Sequence, residues 1–321
     1  MSSPLRPHPS LGAFPVTPPI PDLSQYRTIL EPEHDRPDWW AGAPSVALGP
    51  DGTVWLACRM READSPRGER GYAVWILRSP DAYTFEHVHT IHRDEVGTVS
   101  FERPALVVDP LTRRYKLYLC RAGKPEPGGW RVEKLDDVDD PRRFDPRTAR
   151  AVVTAPPYSG ESRGVKDPFV IHVGGVYYMY VIACGFLRGH RELPYVYTST
   201  DGERWTYGGG PVVRPGGWHD FFTRPACVMP LGGVYAFYYE GSASDWFDPV
   251  YNIQGGLAVT HDLRTAVDLT ADAPLFASAT PGRYLTARYT DYLCLADRVV
   301  FYYEAARPND SNEVRASTVL L

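Results

Sequence analysis

A segment of about sixty residues recurs five times along this chain of 321 residues. Each copy has a polar or charged group, usually followed by a proline, then a short strand, a turn and a strand rich in aromatic or β-branched residues. Corresponding positions in the copies are 60, 64, 57 and 63 residues apart, at Pro44, Pro104, Pro168, Pro225 and Arg288. Such a period indicates one supersecondary unit that is repeated around an axis or along a stack.

Each copy predicts an up-and-down sheet of about four strands, since its turns carry the Gly or Asp that tight hairpins need. The last copy ends at Asn312–Leu321, which supplies only a third strand. We expect Tyr26–Leu30 to provide the missing outer strand and so remove an open sheet edge. The predicted fold is therefore all-β, a five-bladed β-propeller closed by the N-terminal segment. Residues 1–24 are predicted to form a Pro-rich arm, and residues 25–321 a single domain.

Composition and charge exclude several classes of protein. The net charge is −5 and no block of Lys or Arg stands out, so no nucleic-acid partner is expected. No apolar stretch is long enough to cross a membrane, and the first 21 residues contain seven prolines and no signal-peptide core. These features predict a cytoplasmic protein. Five cysteines without a CxxC pair argue against a disulfide framework or a zinc site, and we expect them to be reduced and mostly buried.

The first strand of each blade is expected to line the central channel. Charged or aromatic residues open these strands in all five copies: Asp38, Trp39, Trp40, Glu102, Arg103, Lys166, Asp167, Thr223, Arg224, Arg288 and Tyr289. One alternative is that each charge only caps its strand or pairs with its neighbour. The concentration of such groups at one repeat position favours a binding site at one mouth of the channel.

The ends of the second strands align as LACR, LYLCR, VIACG, FYYEG and FYYEA. This alignment places Cys58, Cys120 and Cys184 where the last two copies have Glu240 and Glu304. Cysteine at that position is interpreted as a small buried filler. A buried glutamate is costly unless it is paired, so each glutamate either pairs with a neighbouring cation or acts on a ligand.

The Lys166-Asp167-Pro168-Phe169 segment, followed by GGVYYMYV, resembles the central-blade motif of glycoside hydrolase family 43 and the related families 32, 117 and 130. The resemblance spans roughly Trp39 to Leu320. It implies that Asp167 orients the acid and tunes its pKa. It also implies an aspartate base in the first blade and a glutamate acid at the start of the fourth. This sequence has Gly42-Ala43-Pro44 and Thr223-Arg224-Pro225 there instead.

The resulting hypothesis is a glycoside hydrolase that acts on a small glycan or glycoside, with inversion implied by the resemblance. Asp38 or Glu102 would be the base, Asp167 the modulator and Glu240 the acid, with Glu304 in reserve. The alternatives are a glycoside phosphorylase, with phosphate held by Arg103, Lys166, Arg224 and Arg288, and a sugar-binding propeller without catalysis. No cofactor is expected, although a structural calcium ion in the channel stays open, and no oligomeric state is predicted.

Aromatic residues and one histidine complete the candidates. Trp39, Trp40 and Trp218 present faces suited to stacking on a sugar, or else they belong to the core. His219 and Asp220 form either a proton-shuttling pair or an ordinary loop turn.

Overall fold

The computed structural model describes residues 17–66, 68–122, 129–154, 162–185 and 192–321, without the side chains of residues 162, 163 and 184. Most of the predicted Pro-rich arm lies outside this range. The first strands and the α-helix are Arg27–Leu30 (β1), Trp40–Leu48 (β2), Val54–Arg61 (β3), Gly71–Ser79 (β4), Glu86–His92 (β5), Arg93–Val96 (α1), Ser100–Phe101 (β6), Ala105–Val108 (β7), Tyr115–Ala122 (β8), Trp130–Lys134 (β9) and Arg150–Val153 (β10). The remaining strands are Ser162–Val173 (β11), Val176–Gly185 (β12), Glu192–Ser199 (β13), Thr206–Gly209 (β14), Phe222–Pro230 (β15), Tyr235–Ser242 (β16), Gln254–Thr260 (β17), Ala266–Asp268 (β18), Ala287–Cys294 (β19), Arg298–Ala306 (β20) and Asn312–Leu320 (β21). Short 3-10 helices cover Pro141–Arg143, Pro146–Thr148 and Gly217–His219.

The protein is all-β apart from these short helices. Strands that follow one another pair antiparallel in groups: β2 to β5, β6 to β10, β11 to β14, β15 to β18, and β19 to β21. Single parallel residue pairs join neighbouring groups, as at Gly164 with Trp130, Glu192 with Phe222, and Trp40 with Asn312. Among the described residues no helix is long and apolar enough to cross a membrane.

The predicted pairing of the N-terminal segment with the last strand is confirmed. Strand β1 runs antiparallel to β21, with Arg27 opposite Ala316 and Leu30 opposite Val314. On its other side β21 pairs with β20, and its first residue, Asn312, also meets Trp40 of β2. The last antiparallel group therefore contains strands from both ends of the described chain.

In three groups, a similar turn between the third and fourth strands contacts another group. In the turn after β4, the Ser79 hydroxyl accepts from the Ala82 backbone N–H, and the same pattern joins Ser199 to Gly202 and Thr260 to Leu263. The carbonyls of these turns accept a tyrosine hydroxyl from another group, at Tyr302 to Ala82, Tyr118 to Gly202 and Tyr180 to Leu263. Satisfying a buried tyrosine hydroxyl in this way helps to fix how these groups pack against one another.

In three groups the first strand carries a bulge that contains one residue with a positive φ. Pairing shifts register between Gly42 and Ser45, between Lys166 and Phe169, and between Arg288 and Asp291. Within the three bulges Ala43, Asp167 and Tyr289 have φ values of 49°, 57° and 55°. A left-handed residue in a bulge re-aims its side chain. Tyr289 therefore corresponds to Ala43 and Asp167, the residues that precede Pro44 and Pro168. The sequence comparison instead matches Arg288 with the two prolines.

The predicted match between Cys58 and Glu304 is wrong by one residue. Gly42 and Arg288 start two of the bulges, and opposite them lie Arg59 in β3 and Glu304 in β20. Successive side chains of a strand point to opposite faces, so Arg59 shares the face of Glu304 and Cys58 packs in the core. Cys58, Cys120 and Cys227 are buried and unpaired, whereas Cys294 is half-buried. The side chain of Cys184 lies outside the description.

Candidate active site

Asp167 lies at the centre of the site, held by three neighbours. Its Oδ1 accepts from the Arg103 backbone N–H at 3.1 Å, and its Oδ2 accepts from Arg224 Nη2 at 2.6 Å and from the Tyr289 hydroxyl at 3.4 Å. The carboxylate is buried. Burial raises its pKa, but the charges of Lys166 and Arg224 outweigh this and hold the pKa below the usual value. Asp167 is therefore ionised at neutral pH.

Glu240, from β16, has the opposite character. Its Oε2 accepts from the backbone N–H of Tyr289, while its Oε1 has no hydrogen-bond partner in the described chain and lies 3.9 Å from Arg224 Nε. Burial raises the pKa of Glu240 to about 7, against the opposing charges of Arg224 and Arg103. A substantial fraction of Glu240 is thus protonated near neutral pH, with one oxygen uncommitted.

Arg224 connects these two carboxyl groups. Its Nη2 donates to Asp167 and also to the Tyr289 hydroxyl at 3.0 Å. On its other side, Nε lies 3.0 Å from Glu192 Oε2. Glu192 in turn forms an ion pair with Lys166, whose Nζ is 2.6 Å from Oε1. Two of the four predicted cations, Lys166 and Arg224, are therefore bridged by one carboxylate.

Glu192 is absent from the sequence-based candidates. It is the first residue of β13, a third strand, and only first and second strands were expected to carry site residues. The available signal was a single glutamate opening a strand otherwise rich in aromatic and β-branched residues. Its parallel pairing with Phe222 brings it beside Arg224, which no sequence pattern indicates.

Glu304 is fully committed to protein partners. Its Oε1 accepts from Arg288 Nε and Nη2 at 3.0 and 2.7 Å and from Asn312 Nδ2 at 2.6 Å. Its Oε2 accepts from the Ala43 backbone N–H at 2.9 Å and from Arg59 Nη2 at 3.0 Å. Burial opposes ionisation, but Arg288 and Arg59 lower the pKa of Glu304 below its usual value. Five hydrogen bonds leave this carboxylate little capacity to accept a further proton.

Glu102 is paired with Arg59 but less enclosed. Arg59 Nη1 donates to Glu102 Oε2, so Arg59 joins Glu102 to Glu304. The guanidinium carbon of Arg59 also lies 5.4 Å from the centre of the Tyr289 ring. The side chain of Glu102 is 15% exposed, compared with 0% for Glu304. Glu102 is thus the more accessible carboxylate of this network.

Arg103 spans the interior instead of facing an open space. Its Nη1 donates to the Ala226 carbonyl at 2.7 Å and its Nη2 to the Thr290 carbonyl at 3.3 Å. The residue is fully buried, with its guanidinium carbon 5.6 Å from the Phe169 ring centre. Arg103 therefore braces β15 against β19.

Asp38 and Trp40 line a cavity of about 330 Å³. The other lining residues are Pro37, Arg70, Asp248, Tyr251, Arg283, Tyr284, Thr286, Asp310 and Asn312. Asp38 is 45% exposed and its Oδ1 lies 3.0 Å from Arg70 Nη1. The guanidinium carbon of Arg288, which is bound to Glu304, lies 4.8 Å from the centre of the Trp40 ring. Aromatic faces next to charged groups make this cavity suitable for a sugar.

The remaining candidates are held by neighbours other than the carboxyl groups described above. Trp39 is buried against His34 and Tyr72 and does not line the cavity. His219 is bound by Thr223 Oγ1 at 2.9 Å and Asp268 Oδ2 at 3.0 Å, and burial lowers its pKa.

Trp218 is buried and stacks on Tyr239 and Trp246. Asp220 accepts hydrogen bonds from Ser244. Across the described ranges, no group of three or more His, Cys, Asp or Glu residues is arranged to hold a metal ion.

No protein-family model and no curated protein matches the chain. Solved structures do: a glycosyl hydrolase from Bacteroides ovatus is 13% identical, with a TM-score of 0.65 over 98% of this chain and 96% of that one. An α-L-arabinofuranosidase from Podospora anserina is 11% identical, with a TM-score of 0.60 over 96% and 98% of the two chains. A family 32 β-fructofuranosidase from Bombyx mori is 13% identical, with a TM-score of 0.65 over 92% of this chain and 63% of that one. At these identities the similarity shows a shared fold.

Proposed function

We propose that this chain is a five-bladed β-propeller glycoside hydrolase related to family 43. The antiparallel groups would be the blades, and two contacts support their closure into a ring. The Tyr302 hydroxyl, in the last group, donates to the Ala82 carbonyl in the first, and Asn312 pairs with Trp40. A ring of this kind brings the bulged residues of the first strands to one end of a central channel.

The observation that carries the proposal is the pairing of Asp167 with Glu240 through Arg224. One carboxyl group is held ionised and the other has a pKa near 7, and Arg224 lies within 3.9 Å of both. Two carboxyl groups whose surroundings separate their pKa values are the chemical requirement for acid-assisted cleavage of a glycosidic bond. Glycosidases among the similar structures support the same activity.

In the proposed reaction Glu240 is the general acid. Its proton is transferred to the glycosidic oxygen as the bond from that oxygen to the anomeric carbon breaks. A water molecule attacks the anomeric carbon from the opposite face and gives up its proton to a carboxylate base, which inverts the configuration. Asp167 keeps its negative charge and raises the proton affinity of Glu240. Acid, base and water suffice, so the reaction needs no cofactor.

Glu102 is the better candidate for the base than Asp38. Glu102 shares Arg59 with the Tyr289 ring, and Tyr289 contacts both Asp167 and Glu240. The partner of Asp38 is Arg70, at the wall of the 330 Å³ cavity. We therefore assign Asp38, together with Trp40, to substrate binding. The five hydrogen bonds of Glu304 give it a structural role in place of the reserve role.

Phosphorolysis has less support because the cations proposed to hold phosphate already have protein partners. Arg288 bonds to Glu304, Arg224 to Asp167, and Lys166 to Glu192. The guanidinium of Arg103 is bound to backbone carbonyls. A free phosphate would have to displace these partners.

The proposal is tested by a screen of aryl glycosides and small oligosaccharides, with and without inorganic phosphate. Phosphate-independent release of a sugar is expected, and the anomer formed first, followed by NMR, should be inverted. The Glu240→Gln variant is the matched control, since it keeps the shape of the side chain but has no acidic proton to transfer. Phosphate-dependent turnover would identify a phosphorylase, and sugar binding without turnover would identify a binding protein.

A further inference from the structure

Arg61 is a buried cation without a carboxylate partner. It is the last residue of β3, two positions after Arg59, and only 6% of its surface is exposed. In the described part of the chain, the hydrogen bond from its guanidinium is that of Nη2 to the Tyr251 hydroxyl at 3.1 Å, and no carboxylate oxygen lies within 4 Å. An enclosed charge without a counter-charge is costly, and proteins usually pair it.

The neighbours of Arg61 add positive charge. The guanidinium carbons of Arg61, Arg288 and Arg59 lie 3.9, 4.8 and 6.0 Å from the Trp40 ring centre. Arg59 and Arg288 form ion pairs with Glu102 and Glu304, whereas Arg61 forms none with the described residues. Burial is the main cause that lowers the pKa of Arg61; the charges of Arg59 and Arg288 lower it further, while Tyr251 and Glu102 act in the opposite direction. The faces of Trp40 and Tyr251 attract the cation but carry no net charge.

Arg61 is not itself a lining residue of the 330 Å³ cavity but lies behind two of its rings. Trp40 and Tyr251, the two rings that Arg61 contacts, both line that cavity, as does Tyr284. Aromatic rings offer stacking faces to a sugar, and a guanidinium fork matches the geometry of a carboxylate. A sugar bearing a carboxylate would therefore suit both the rings that line the cavity and the guanidinium behind them.

We propose that the 330 Å³ cavity binds an anionic sugar of the uronic acid class, whose carboxylate pairs with Arg61. The inference deepens the proposed function, since it names the substrate class of the same site. It concerns binding, however, and can be tested without turnover. A phosphorylated sugar or free phosphate shares the same charge, so the experiment must separate these sources.

Calorimetric titration at pH 7 measures the binding of glucuronate, galacturonate, glucose, galactose, glucose 1-phosphate and inorganic phosphate. At least one uronate should bind about tenfold or more tightly than its neutral counterpart, and increasing salt should weaken the preference. The Arg61→Met variant keeps the apolar stem against Trp40 and should lose the preference. Arg61→Lys, which retains the charge without the fork, should keep part of it.

A second measurement separates ligand binding from a structural role. If Arg61 serves a ligand, ligand-free Arg61→Met should be at least as stable as the wild type in urea, because an unpaired buried charge has been removed. Arg298→Met, at an exposed strand end, is the control. Clear destabilisation by Arg61→Met, equal binding of uronate and neutral sugar, or an Arg61-dependent preference for phosphate alone would overturn the proposal. Uronate binding without cleavage would uphold it and refute the hydrolase assignment instead.

Discussion

The carboxylate of Glu304 occupies the space into which a side chain on Gly42 would project. Glycine at this position lets a glutamate from the last strand group reach the backbone N–H of Ala43 in the first group. The family 43 resemblance places an aspartate base beside this point, and here the space is filled by a carboxylate that comes from another strand.

Replacing Gly42 by Ala should destabilise the protein. The added Cβ would displace Glu304, which is fixed by five hydrogen bonds, so the free energy of unfolding in urea should fall by about 1–3 kcal/mol. Gly233→Ala is the matched control, since a Cβ there would have no neighbour within 4 Å. Equal stability of the two variants would show that the Glu304 network tolerates displacement.

Asp167→Asn should lower kcat/KM by about 10²-fold or more on whichever substrate the screen identifies. The variant keeps the hydrogen-bonding shape but removes the negative charge that, in the proposed mechanism, helps to keep Glu240 protonated. Asparagine tolerates the positive φ of this position better than most residues, so the melting temperature should stay near that of the wild type. A well-folded variant with near wild-type activity would refute the assigned role of Asp167.

The stability of the wild type relative to Glu240→Gln should fall as the pH rises from about 4.5 to about 7. The folded protein holds the Glu240 proton up to a pKa of about 7, whereas the unfolded chain releases it near 4.5. The unfolded state therefore binds fewer protons in this window, and rising pH favours it, by about 3 kcal/mol in total. Urea titrations of both proteins across this range measure the effect. A difference that does not vary with pH would contradict the raised pKa.

Glu192→Gln should shift the alkaline limb of the activity profile to lower pH. Removing this negative charge leaves Lys166 and Arg224 less compensated, which favours ionised Glu240 and lowers its pKa. A loss of activity of about tenfold at pH 7 is expected as the acid is depleted. Glu203→Gln is the control, because Glu203 also bridges two cations, Lys134 and Arg150, away from the site. An unshifted limb with reduced activity would indicate a purely structural role.

The repeat and the pairing of the N-terminal segment could be predicted because both depend on strand length and hydrophobic pattern. The meeting of Asp167 with Arg103, Arg224 and Tyr289 could be predicted, because all of them open first strands at one repeat position. The face of β3 on which Arg59 lies could not be predicted, because a one-residue change of register moves every side chain of a strand to its other face. Bulges cause the same difficulty, since their extra residue carries no clear sequence signal.

The approach of Glu192 to Arg224 depends on a contact between strands of different groups, and so does the unmatched charge of Arg61. Contacts of that kind follow from the three-dimensional arrangement and have no counterpart in the spacing of residues along the chain.

The pairing of β1 with β21 also has a consequence for protein synthesis. Arg27 finds its strand partner in Ala316, which the ribosome adds 289 residues later. Until then β1 and the first strand group present unpaired edges, and such edges attract other chains. The growing polypeptide therefore depends on its final strand to protect its first, and shortened translation products should be captured by chaperones or aggregate.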